Sequence, residues 1–239
     1  MNEKLGIWYD KYIGKIVPRY AFFSVIFCFV LNQLVYSGAQ IIMADAVHYD
    51  LSLEFDKKVP FIPGWVLIYI VCFAFWIVNY ILITREGKEE WFRFAAGDYF
   101  SRIICGIFFF LTPTTNVRPE VVGDGIIETL MRFIYSADAP TNLFPSVHCL
   151  VSWMCFIGIR KSKKIPLWYK VFSCVFAILV FMSTQFTKQH YILDVFAGVL
   201  IAEWCFSLGH RKEWYKKVEW FFDKIDRKVF GEAVGNESI

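Results

Sequence analysis

Charge is scarce in this chain. Only 20% of its 239 residues are Asp, Glu, Lys or Arg, against 57% hydrophobic and 20% aromatic. An ordinary soluble domain carries more charge and fewer apolar residues, so that class is excluded. Mean hydropathy is +0.45, which points the same way. Metal-type cysteine spacing is missing too. Cys28, Cys72, Cys105, Cys149, Cys155, Cys174 and Cys205 lie in or beside apolar runs and none forms Cys-x-x-Cys. They read as small buried hydrophobes rather than zinc or dithiol ligands. There is no Gly/Ser linker, repeat or low-complexity tract, and residues 1–239 read as one domain. No cleavable leader is visible. The net charge of +3 is small and its basic residues cluster briefly. That pattern marks membrane topology rather than nucleic-acid binding. Histidine occurs four times, so each one is conspicuous.

What remains is apolar runs. A segment of about 20 apolar residues can cross the hydrocarbon core. Six are expected, near residues 20–43, 64–83, 102–111, 146–159, 167–186 and 190–208. The third is the least regular: residues 91–99 read as interfacial or amphipathic, and the apolar part ends before Pro113. The fold class predicted is an all-α, polytopic six-transmembrane bundle. Residues 211–230 alternate Trp214, Val218, Phe221, Phe222 and Ile225 with Lys and Asp, as in an amphipathic interfacial helix. With six spans the termini share a side, and that side holds 19 of the 25 Lys and Arg. Lys and Arg accumulate on the cytoplasmic side. Both termini are therefore expected in the cytoplasm, and a bacterial plasma membrane fits the size of the chain. The outer loop of residues 114–145 is long enough to be functional.

Two polar motifs interrupt this apolar background on the outer side. Ionisable residues at membrane depth default to a functional reading. His190 and Asp194 are four residues apart and share a helix face. The carboxylate can fix the imidazole tautomer and leave the other ring nitrogen as nucleophile or base. Alone, such a pair could be structural. Pro145-Ser146-Val147-His148 opens the fourth span, where free backbone N–H groups and the Ser146 hydroxyl could cradle an anion. Alone, it could be a helix cap. Arg118, followed by Pro119, offers a planar fork for phosphate, and Lys188 offers a second cation. Alone, both could be solvated or snorkelling. Joined on one face, they supply a nucleophile, its orienting acid, a proton donor and phosphate binders. Phosphoryl transfer needs that set, and in principle neither metal nor cofactor.

At these residues the chain resembles the type 2 phosphatidic-acid phosphatase superfamily, whose core is shared with vanadium haloperoxidases. The family signatures are Lys-x6-Arg-Pro, Pro-Ser-x-His and Ser-Arg-x5-His-x3-Asp. Arg118-Pro119 matches the end of the first, Pro145-Ser146-Val147-His148 the second, and Ser183, His190 and Asp194 the third. The resemblance covers about residues 98–208. Two family cations are replaced, by Leu111 and Thr184. Lys188 or Arg132 could take over their charge. The Gln189-His190-Tyr191 context is similar to the inositol phosphorylceramide synthase branch.

The resemblance implies a lipid phosphatase acting on a phosphomonoester or pyrophosphate of a membrane lipid through a phosphohistidine. His190 would be the nucleophile, Asp194 its partner and His148 the acid. Arg118, Ser146 and Lys188 would bind phosphate. The alternatives are a phosphotransferase that uses a lipid alcohol in place of water, and a non-enzymatic lipid-binding protein. The partners implied are the bilayer and a lipid phosphate; the lipid and the oligomeric state stay open. Separately, Glu203 and Arg102 fall at similar depth. They are expected to approach each other or to find polar partners on neighbouring spans, with Asp98 an alternative partner for Arg102.

Overall fold

In a bilayer every backbone polar group must be satisfied within the chain, so apolar runs become helices. The computed structural model describes residues 2–231. In chain order its helices are α1 Asn2–Tyr12, α2 Phe22–Ile42, α3 Glu54–Lys58, α4 Val66–Thr84, α5 Lys88–Leu111, α6 Ile126–Ala137, α7 Val147–Ile159, α8 Leu167–Phe186, α9 Ile192–Arg211 and α10 Tyr215–Phe230. Among the described residues there is no β-strand, only the isolated bridges Tyr49–Thr114 and Thr115–Thr141. The fold is an all-α polytopic bundle. Helices α2, α4, α5, α8 and α9 are long and apolar enough to cross a membrane, and α7 is a shorter apolar helix.

The fourth apolar segment is thus only 13 residues long as a helix. It can be short because α4, α8 and α9 pack around it. No α7 residue is fully exposed, so most of its surface is covered by protein.

The third segment differs from expectation. It is one continuous 24-residue helix, not an interfacial piece followed by a span. The charges that break the apolar run neutralise each other inside it. Arg102 donates to Asp98 one turn earlier at 2.8 Å, and Tyr80 of α4 donates to the same carboxylate oxygen at 2.7 Å. Arg102 and Glu203 do not meet. Glu203 instead accepts both arms of Arg160 at 2.6 and 2.9 Å, and the Trp153 indole N–H at 3.0 Å. Each charge has its partner within reach, as charges at this depth require.

Close helix approach depends on small residues at crossings. A Cβ on Gly97 of α5 would lie 2.7 Å from Cys205 O of α9. A Cβ on Gly198 of α9 would lie 2.6 Å from Ser146 O and 3.2 Å from Leu150 N. Gly198 therefore sets how closely α9 meets the start of α7. Gly198→Ala is expected to cost about 1–3 kcal/mol through overpacking. Thermal unfolding of the detergent-solubilised variant checks this; an unchanged Tm would mean that the two helices separate freely.

Two ends can be distinguished. At one, Arg93 donates to His210 O at 2.7 Å, Lys88 pairs with Asp223 at 2.7 Å, Lys164 reaches Arg85 O at 2.8 Å and Arg19 pairs with Asp226 at 3.3 Å. These contacts gather the start of α5, the α7–α8 loop and the end of α9 with α10. Helix α10 turns Tyr215, Phe222 and Phe230 inward and leaves Trp220 62% exposed, as an amphipathic helix lying along the bundle should. At the other end lie residues 43–65, 112–146 and 187–191, and with them both polar motifs.

Candidate active site

His190 sits in the short turn between α8 and α9. Its backbone N–H and that of Gln189 donate to Thr184 O at 3.2 and 2.9 Å. Its ring Nδ1 lies 3.0 Å from Leu143 O and 3.2 Å from Asp194 Oδ2. Both neighbours are acceptors, so Nδ1 carries the proton and Nε2 keeps its lone pair. Asp194 is fully buried in the first turn of α9. The same Oδ2 accepts the Tyr191 N–H at 3.0 Å, which fixes the carboxylate by the helix start it caps. The Leu143 carbonyl is held in turn, because Thr114 Oγ1 accepts the N–H groups of Leu143 and Phe144 at 2.9 and 3.0 Å.

The second motif opens α7. Ser146 is its N-cap: the hydroxyl oxygen accepts the Cys149 N–H at 3.2 Å, and the Ser146 N–H donates to Asp194 O at 3.1 Å. That last bond ties α7 to the first turn of α9. His148 follows within the first turn, with its ring centre 5.7 Å from that of His190. The Tyr69 and Trp76 rings flank it, centres at 4.4 and 5.4 Å.

Arg118 comes from the long loop. Its Nη1 donates to Tyr135 O at 3.3 Å and to Asp138 O, and its Nη2 donates to Gln189 Oε1. The guanidinium also lies 4.7 Å from the Tyr135 ring centre. Burial pushes the Tyr135 phenol up to about 12, against the pull of Arg118. It stays a donor, and its hydroxyl gives a 2.8 Å bond to Thr187 O. Two buried donors here have no partner within the protein, Arg118 Nε and Gln189 Nε2. Buried donors are rarely left so, and an anion between them would satisfy both.

Lys188 is placed otherwise than a free cation. Its backbone adopts φ +53°, and its ammonium donates to Asp56 O and Val59 O at 2.7 and 2.5 Å. Burial lowers its pKa, with Asp56 opposing. It still lines, with Arg118, His190 and Tyr191, a cavity of about 480 Å³. Asp56 links this loop to the site as well, since its Oδ1 accepts the Ile192 N–H at the start of α9 at 2.8 Å.

The positions of the two replaced family cations have different fates. Leu111 ends α5 and is 74% exposed. Thr184 is buried, its hydroxyl donating to Phe181 O at 2.8 Å, and it serves the site through its carbonyl. Arg132 does not fill in for them: its Nη1 is bound to Val121 O and Gly123 O at 3.1 and 2.7 Å.

Gln189, within the motif beside His190, anchors Arg118. Two contributors escape the motifs. Tyr69 hides as an ordinary aromatic in an apolar span. Asp138 hides as one more polar residue of a long loop. Tyr69 donates to Asp138 Oδ2 at 3.2 Å, and its oxygen lies 3.4 Å from His148 Nδ1.

No curated protein and no solved structure shows a significant match to the chain. A family model does match: that of the PAP2 superfamily, over residues 65–208, more than half of the sequence and inclusive of Arg118, Ser146, His148, Lys188, His190 and Asp194. With the paired histidines at the starts of α7 and α9 inside that match, the chain belongs to the PAP2 superfamily.

Proposed function

We propose that this protein is an integral-membrane lipid phosphatase that works through a phosphohistidine. The observation that carries the reading is the His190 environment. Its Nδ1–H is held by two acceptors, Leu143 O and Asp194 Oδ2, which leaves Nε2 nucleophilic. Nε2 attacks phosphorus, an N–P bond forms and the P–O bond to the lipid breaks. His148 gives its proton to the departing oxygen, then takes one from water as the hydroxide attacks phosphorus, the N–P bond breaks, and inorganic phosphate and free His190 result. Asp194 stabilises the imidazolium charge that develops on His190. Arg118 and Gln189, each with an unpartnered donor, receive the equatorial oxygens. Ser146 keeps His148 in register through its cap and can turn its hydroxyl to the phosphate. Lys188 adds positive potential from the cavity wall. The basic residues gather at the opposite end of the bundle, so the site faces the non-cytoplasmic side and both termini the cytoplasm.

A second reading is favoured by one observation. His148 borders a separate cavity of about 250 Å³, where Asn32, Tyr36, Gln40 and Asp138 face apolar walls that include Phe73 and Trp76. A few polar groups in a mainly apolar cavity suit the hydroxyl end of an apolar alcohol. An alcohol there, in place of water, would turn hydrolysis into transfer.

The test is purified protein in mixed micelles with phosphatidic acid, phosphatidylglycerophosphate or undecaprenyl pyrophosphate, each with and without a long-chain alcohol. Release of inorganic phosphate from one of them, with an acid-labile and alkali-stable phosphoenzyme, supports hydrolysis. Phosphate appearing on the alcohol supports transfer. Folded protein that does neither points to a lipid-binding role.

A further inference from the structure

We propose that Asp138 and Tyr69 are positioning residues that set the protonation of His148, a second carboxylate–imidazole unit joined through a phenol. The proposal rests on His148 acting as the proton donor described above. Tyr69 is buried in the first turn of α4. Its hydroxyl has one hydrogen, and the Asp138 carboxylate, an acceptor only, lies 3.2 Å away. The hydrogen goes there. The phenol oxygen, 3.4 Å from His148 Nδ1, is then left to accept, so Nδ1 carries a proton. His148 therefore presents Nε2 to the reaction, as His190 does.

The relay answers a physical need. The aromatic walls of Tyr69, Phe73 and Trp76 stand around the His148 ring. An apolar enclosure disfavours imidazolium, and so does a second imidazole 5.7 Å away. A proton donor in that place requires a compensating anion, and Asp138 is the carboxylate connected to it. The groups facing His148 are Tyr36 of α2 and Tyr69 of α4, Asp138 after α6, and His190 before α9 with Asp194 behind it. Arg118 acts from the loop, where its guanidinium touches the Asp138 carbonyl. Tyr36 also donates to the Asp138 carboxylate, at Oδ1. It competes with Tyr69 for that charge, and this competition gives the proposal a signature of sign.

The test uses full-length protein with ¹⁵N-labelled histidine in detergent micelles. The chain has four histidines, and the spectrum of His148→Gln identifies the His148 signals. Asp138→Asn is expected to lower the His148 titration midpoint by about one pH unit. Tyr69→Phe, which keeps the ring and removes only the oxygen, should lower it too. Tyr36→Phe should raise it, because the carboxylate loses a competing donor. Phosphatidic acid turnover gives a second reading. A proton donor works below its midpoint, so Asp138→Asn should move the alkaline limb of kcat to lower pH with KM little changed. An unmoved His148 midpoint in both Asp138→Asn and Tyr69→Phe overturns the relay. So does a shift of Tyr36→Phe in the same direction as Tyr69→Phe, and that pair decides the matter if Asp138→Asn fails to fold. The resonance measurement needs no substrate. A protein that ignores phosphatidic acid yet shows these shifts retains the relay while the phosphatase reading fails.

Discussion

His190→Ala is expected to reduce phosphate release to the uncatalysed level, a loss of at least about 10⁴-fold. In the proposed mechanism the side chain is the nucleophile, and the neighbouring imidazole has a different task. His148 lies 5.7 Å away ring to ring and in that scheme is committed to proton transfer. The fold should survive. The contact that places residue 190 is its main-chain N–H to Thr184 O, and Gln185 Nε2 donates to its carbonyl at 3.1 Å. Alanine keeps both. Arg118 is held by carbonyls and by Gln189, so lipid phosphate should still bind. The discriminating measurement is a pair: vesicle binding near wild type, and no phosphoenzyme trapped from phosphatidic acid. Turnover near wild type would remove the phosphohistidine from the mechanism.

Asp194→Asn should produce the next largest fall, about 10²–10³-fold in kcat. The effect is smaller than the roughly 10⁴-fold seen when an asparagine leaves a catalytic imidazole in the wrong tautomer. The difference lies in Leu143 O, which also accepts from Nδ1 and survives the substitution. The tautomer is kept, and what is lost is the negative charge beside the forming imidazolium. An asparagine oxygen can replace Oδ2 and continue to accept from His190 and Tyr191. Its NH₂ group then falls where Oδ1 lies, buried and without a partner. An unsatisfied buried group costs about 1–3 kcal/mol, so a lower Tm should accompany the slower rate. A fall as large as that of His190→Ala would mean that Leu143 O does not hold the ring once the carboxylate is neutral.

Much of this was legible because apolar length and motif spacing are local properties. The run at 167–186 is helical over those residues, Leu167–Phe186. His190 and Asp194 do meet, but not on one helix face: His190 lies in the turn before α9, which begins at Ile192. The continuity of α5 was not legible. Asp98 and Arg102 interrupt its apolar run, and only the fold reveals Tyr80 closing that pair from α4. Lys188 reads as a candidate phosphate cation because it stands two residues before His190. Its actual partners, the carbonyls of Asp56 and Val59, lie more than a hundred residues away. Tyr69 and Asp138 carry no local signal at all. Their role arises from a contact between the start of one span and the end of a loop.

The seclusion of α7 bears on how the protein meets different membranes. Helices at the rim tilt or stretch when the hydrocarbon layer thickens or thins, but the segment carrying His148 packs against α4, α8 and α9 and has no fully exposed residue. Bilayer deformation therefore reaches His148 mainly through those helices. Reconstitution in lipids of graded acyl length should therefore change substrate access well before it changes the chemistry.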